Sequence, residues 1–186
     1  MGIVVDRFKC VVAALSLTIG FSVPVYGQES VLDGLYRELA EATPEDSTRI
    51  EQRIIAEWEK SGSAAMDLLL RRGKDALEEG RPEIAVEHFS ALVDHDPAFA
   101  EGYYGRASSY YLLGLTGPAL EDIQHALRLN PRHFEAMTGL AIVMEELDRK
   151  EDALEIYRMI LDIHPNAAQA LDATERLALE LEGQAL

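Results

Sequence analysis

The histidines His88, His95, His125, His133 and His164 are where acid–base or metal chemistry would have to begin in this chain. His95 stands between Asp94 and Asp96, and imidazole with carboxylate is a possible metal-ligand set. At the end of a helix the same side chain complements the negative end of the helix dipole, and His164 has an equivalent placement. The neighbouring acids Glu121-Asp122 and Glu145-Glu146 would point to different sides of a helix, so neither couple can share a proton, and both are expected on solvated faces. There is no glycine-rich phosphate loop, no GxSxG, no HExxH and no CxxC. Cys10, the single cysteine, sits at the start of an apolar run. The residues therefore point to no catalytic set, no metal and no cofactor. They leave a protein whose recognition chemistry lies in its aromatics and charges.

The elements that must position those residues repeat at a fixed step of 34 residues. Pro97, Pro131 and Pro165 are in register at that step, as are Ala85, Ala119 and Ala153. The same offset links Gly73, Ala107 and Ala141, and also Gly80, Gly114 and Asp148. It links Phe89, Ile123 and Tyr157, and Glu87, Glu121 and Glu155. Each proline follows a residue that it pushes away from helical backbone angles, so each marks the end of a helix. Gly80, Gly114 and Asp148 mark the turn halfway along each unit.

This period and these columns resemble the tetratricopeptide repeat, a helix-turn-helix unit of 34 residues. With Met66, Ala100 and Phe134 as first positions, the small eighth residue, the alanine at the twentieth and the proline at the thirty-second all fall where that family has them. The resemblance covers about 100 of the 186 residues. It departs at the fourth position, where Leu69, Tyr103 and Met137 replace the frequent tryptophan, and at the seventh, where Arg72 and Arg106 replace the usual leucine. It implies an all-α solenoid of three units, 66–99, 100–133 and 134–167.

The family's interaction surface is a concave groove lined by the first helix of every unit. Carried over position by position, it comprises Asp67, Leu70, Arg71, Lys74 and Leu77, then Glu101, Tyr104, Gly105, Ser108 and Tyr111, then Glu135, Thr138, Gly139, Ile142 and Glu145. Among these Arg71, Lys74, Tyr104, Ser108, Tyr111, Thr138 and Ile142 are the candidate contacts for a peptide or partner helix. Tyr104 and Tyr111 lie two helical turns apart and should share a face, while Tyr103 and Tyr110 fall on packing positions. The co-chaperone members clamp a terminal carboxylate with basic and amide side chains at positions that here hold Leu70, Lys74, Gly105, Glu135 and Gly139. Only Lys74 is basic, so such a clamp is not expected. The groove suits a partner that is apolar with some positive charge.

The flanks complete the layout. Residues 28–62 read as a helical hairpin, with Leu32, Leu35 and Leu39 on one helix, then Thr43 as an N-cap, Pro44 in the first turn, and Ile50, Ile54 and Trp58 at four-residue spacing up to Gly62. Ser63 is the expected cap of the next helix. Residues 166–186 read as a helix that closes the exposed end of the solenoid, with Ala170, Leu171, Thr174, Leu177, Ala178 and Leu181 inward. Residues 1–27 read as an export signal: Arg7 and Lys9, an apolar stretch from Cys10 to Val23, and Val25-Tyr26-Gly27 before a cleavage point. That stretch is shorter than the roughly 20 residues of a spanning helix, leaving an uncleaved anchor as the alternative. Export to a bacterial periplasm follows as the expected destination. A formal charge of −16 argues against a nucleic acid or an anionic membrane surface as partner. The expectation is a periplasmic protein-binding scaffold, or alternatively a self-associating component of an envelope complex, with a metal-dependent hydrolase using scattered acids and histidines as the remote alternative and the oligomeric state open.

Overall fold

Three turns of one backbone geometry set the architecture. Gly80 and Gly114 have φ of 69° and 72°, and Asp148 takes the same left-handed conformation with φ 57°. At each, the next residue's N–H returns to a carbonyl five residues back: Arg81 to Ala76, Leu115 to Tyr110 and Arg149 to Met144, all within 2.8–2.9 Å. This is the Schellman closure of a helix, and it reverses the chain within a few residues.

The computed structural model describes residues 30–184, which fold entirely into helices joined by short loops. The repeats supply α3 (Ala64–Glu78) and α4 (Pro82–His95), α5 (Ala100–Leu112) and α6 (Thr116–Leu129), and α7 (Phe134–Glu146) and α8 (Lys150–Ile163). Each helix packs on the next, and α3 also meets α5, so the first helices of the units line one side of a solenoid. Helix α9 (Ala168–Gln184) packs on α8 and closes that end. Before the repeats come α1 (Val31–Ala40) and α2 (Pro44–Trp58). The expected export signal lies outside the described residues.

The period columns are the core. Ala85, Ala119 and Ala153 are fully buried, as is Phe89, with Ile123 and Tyr157 nearly so. A Cβ on Gly73 would stand 2.6 Å from the Phe89 ring, and one on Gly105 would meet the same ring still more closely. The Phe89 ring therefore occupies the space left by two absent side chains on α3 and α5.

Local expectations fare unevenly. Thr43 caps α2 by accepting from the Asp46 N–H at 3.3 Å, with Pro44 next in the chain. Ser63 precedes α3 but its hydroxyl makes no capping bond; Asp67 instead reaches back to accept from the Ser61 N–H at 3.1 Å and hydroxyl at 2.6 Å. In α9 the inward face is Ala170, Ala173 and Leu177, whereas Leu171 is 46% exposed. The rest of the expected face holds, with Thr174, Ala178 and Leu181 half-buried beside Ala170 and Leu177, and Ala173 takes the buried place expected of Leu171.

The hairpin is the main departure from a simple stack. Its buried Leu35, Leu39, Ile50, Ile54 and Trp58 join the core of the third unit, with Phe134, Met137, Tyr157 and Ile160, and not that of the first unit. Long-range bonds fix this placement. The Tyr36 hydroxyl donates to the Arg132 carbonyl at 3.1 Å, Arg132 pairs with Asp33 at 2.7 Å, and Asn166 donates to the Ala42 carbonyl at 2.8 Å. The Arg132 guanidinium also stacks 4.0 Å above the Tyr36 ring.

Candidate functional site: the concave face

With the hairpin folded back, α2 crosses the concave face and divides the groove. Its first turns border Glu135, Thr138 and His164, and its last turn reaches Leu70, Lys74, Glu101 and Tyr104. Trp58 ends the crossing, its ring 4.3 Å from that of His133 and 4.7 Å from that of Phe134, with its indole N–H donating to Tyr36 at 3.2 Å. Burial in this cluster raises the Tyr36 hydroxyl to about 12, because the phenolate would have to form away from water.

The candidate residues therefore fall into two groups. Lys74 is ion-paired to Glu59, one residue beyond α2, and Arg71 is exposed in the same open cleft. Hydrogen bonding and charge from Glu59 raise the Lys74 ammonium above its ordinary value against the opposing effect of burial. Tyr104, Ser108, Tyr111, Thr138 and Ile142 come together instead in an open cleft of ≈ 350 Å³ between α5 and α7, floored by Ala107 and Ile123 and edged by Gln169.

Hydrogen bonding gives this cleft an acceptor-rich rim. The Ser108 hydroxyl donates to the Tyr104 carbonyl at 3.0 Å, and the Thr138 hydroxyl donates to the Phe134 carbonyl at 2.9 Å. Their protons committed, both oxygens face incoming groups as acceptors. Tyr111, 37% exposed, donates to Glu146. Tyr104 is half-buried, its ring 4.6 Å from that of His133, and burial raises its hydroxyl strongly. Glu135 is half-buried at the junction of cleft and α2; burial raises its carboxyl, aided by the like charges of Glu101 and Glu51 and opposed by His133 and Lys74.

Sequence reasoning missed a buried polar centre here. His133 is fully buried at the start of α7, where its Nδ1 accepts from the Ala136 N–H at 3.3 Å. Its Nε2 lies 3.0 Å from Glu101 Oε1, an ion-pair contact that sets the two buried groups against each other. Tyr103 stacks on His125 at 3.9 Å, on the packing side as expected. The acids expected on solvated faces are partly inside: Asp122 is buried and doubly bonded to Arg106, and Glu145 accepts from Tyr157 at 3.0 Å and from Arg176 at 2.7 Å. Their partners sit on other helices, and spacing along one helix does not show them. His95 is exposed at the end of α4, and His164 is buried at the end of α8. Among the described residues no three His, Cys, Asp or Glu side chains are grouped to hold a metal, and no helix is long and apolar enough to cross a membrane.

Comparison with known proteins agrees with this geometry. A tetratricopeptide-repeat family model matches residues 70–117 and 117–168. A TPR repeat-containing protein of Rhizobium etli is 31% identical over 82% of this chain and 75% of its own length. The Hsp70-Hsp90 organizing protein 2 of Arabidopsis thaliana is 24% identical over 59% of this chain, which spans only 19% of that protein. Among solved structures, the first TPR of Spaghetti (RPAP3), bound to an HSP90 peptide, superposes with a TM-score of 0.61 at 23% identity, covering 64% of this chain and 98% of that one. A crystal structure of MamA superposes at 0.59 and 22% identity, covering 85% of this chain and 86% of that one. In-register columns, Schellman turns and a family model spanning more than half its residues show that this chain belongs to the tetratricopeptide-repeat family.

Proposed function

We propose that this chain is a non-catalytic scaffold that binds another protein, as an extended peptide or a partner helix, in the open half of its concave face. The observation that carries this reading is the cleft between α5 and α7, where apolar surface from Tyr104, Tyr111 and Ile142 adjoins acceptor oxygens of Ser108, Thr138 and Glu135. Apolar side chains would fill the cleft, while backbone N–H groups or a Lys or Arg would meet the acceptors. The HSP90 peptide held by the Spaghetti domain supports a peptide as the class of ligand. It does not supply the ligand's identity: Lys74 is paired with Glu59, and an acid, Glu135, stands where the co-chaperone clamp has a base. The sequence pattern of residues 1–27, read as an export signal, supports action in the periplasm.

The test is a cross-linked pull-down of the processed chain from native periplasmic extract, run beside a Tyr104→Ala/Tyr111→Ala variant. The expected result is a partner lost with the variant while helicity is kept and the melting temperature moves by only a few degrees. The same proteins recovered with both would remove the cleft as the site. A second reading, assembly from copies of the chain, is favoured by Leu171 and Leu179 on the outer side of α9, 46% and 65% exposed. Light scattering decides it: a monomer at micromolar concentration excludes self-association.

A further inference from the structure

The three units fill one pair of repeat positions in three ways. In the second unit Arg106 on α5 sends two hydrogen bonds to Asp122 on α6, at 2.7 and 2.8 Å, and its guanidinium carbon lies 5.7 and 5.9 Å from the ring centres of Tyr103 and Tyr110. In the third unit the same two columns hold Leu140 and Ile156, half-buried against the core, which need no polar partner. In the first unit they hold Arg72 on α3 and His88 on α4. The arginine has its counterpart there, and the acid does not.

We propose that this place on the first unit binds a carboxylate of another protein, an Asp or Glu side chain carried beside an aromatic ring. The bound carboxylate takes the role that Asp122 has in the second unit, and the ring beside it takes the role of Tyr110. The site is separate from the groove, because helical spacing puts Arg72 and Ala76 on the side of α3 opposite the groove positions Leu70 and Lys74. It gives the chain a second recognition surface that does not depend on the cleft between α5 and α7.

Three observations support the site. Arg72 and His88 line one open cleft of ≈ 360 Å³ on the first unit. Arg72 is exposed and makes no hydrogen bond or ion pair among the described residues, whereas Arg81 in the same cleft is paired with Glu79. The rings that flank the arginine in the second unit are missing, since Ala76 stands in the column of Tyr110 and Leu69 in that of Tyr103. An exposed arginine needs no partner for its own sake. Here the partner's place lies open beside it, and the second unit shows what fills such a place. A guanidinium takes a carboxylate through two parallel hydrogen bonds and stacks on aromatic rings, which sets the chemical pattern of the ligand. Asp75 lines the same cleft and is the charge that competes with the ligand.

The probe is the peptide Gly-Tyr-Asp-Tyr-Gly with blocked ends, titrated into the isotope-labelled full chain and followed by amide NMR shifts. It should move amides of α3 and α4 around Arg72 and His88, and bind at least about tenfold more tightly than the same peptide with Asn in place of Asp. Arg72→Gln changes an exposed side chain without a partner, so it should weaken binding by a similar factor with helicity kept. His88→Asp rebuilds the pair of the second unit: it should abolish binding and raise the urea midpoint, because the chain then supplies its own acid. Asp75→Asn removes the competing charge and should strengthen binding. No binding at millimolar peptide, equal binding of the Asn peptide, or binding indifferent to Arg72→Gln or His88→Asp overturns the proposal. 4-Hydroxyphenylacetate carries the ring and the carboxylate without a chain and should bind more weakly; affinity equal to the peptide's would assign the place to a free aromatic acid and overturn the protein ligand. Tyr104→Ala/Tyr111→Ala lies on the other face and should leave peptide binding unchanged. If that variant loses the natural partner while the peptide never binds the unaltered chain, this site fails and the cleft survives.

Discussion

Asp148 occupies, with φ 57°, a backbone region that Gly80 and Gly114 enter without a Cβ. A side chain there costs on the order of 1–2 kcal/mol, less for Asp than for most residues, and a glycine gives back part of that as extra freedom in the unfolded chain. Asp148→Gly should therefore stabilise the protein by about 0.5 kcal/mol, read as a higher urea midpoint with an unchanged slope. Glu135 gives a test with a pH signature. Its folded carboxyl is raised by burial, so the folded state holds the proton more tightly than the unfolded chain and loses stability as pH climbs through that raised value. Glu135→Gln should raise the melting temperature at pH 7.5, and the difference should vanish toward pH 4, where the unfolded carboxyl is itself protonated. A uniform difference across that range would show that Glu135 acts through shape and not charge.

At the scale of elements, α5 is held to its neighbours by two devices that a repeat consensus lacks or conceals. Arg106, where the family commonly has leucine, sends two hydrogen bonds of 2.7 and 2.8 Å into Asp122 on α6. With side chains only 18% and 8% exposed, the pair is sheltered enough that removing one partner strands the other. Arg106→Leu should cost on the order of 3 kcal/mol, and adding Asp122→Leu should recover much of it, since an apolar pair can replace a buried ion pair. Chemical denaturation of the two variants gives the comparison; equal losses would mean that Asp122 is not the cause. Gly105 is the second device. Gly105→Ala drives a methyl group into the Phe89 ring and should cost about 1–3 kcal/mol by overpacking, measured in the same way.

At the scale of the molecule, α1 and α2 share a core with the third unit while the first unit keeps its own cluster of Leu70, Phe89, Leu92 and Phe99. Repeat proteins couple mainly to their neighbours, so an element docked by side chains across several units should separate before the solenoid melts. Trp58, the single tryptophan, lies in that docking contact and reports it. Its emission should shift at a lower urea concentration than the far-ultraviolet helical signal; coincident transitions would show one cooperative unit.

The sequence by itself determined what repeats locally: the helices and most of their ends, the three turns, and the alanine and aromatic core columns. These follow from side-chain periodicity and turn chemistry acting over a few residues. Only the tertiary structure decided that α2 lies in the groove, that Lys74 belongs to Glu59 and Asp122 to Arg106, and that Tyr104 and Tyr111 open onto a cleft while His133 is sealed beneath Trp58. The bonds that seat the hairpin join residues 99 and 124 positions apart, Asp33 with Arg132 and Ala42 with Asn166. No local period encodes such a pairing, because it depends on where an entire amphipathic hairpin finds apolar surface to cover.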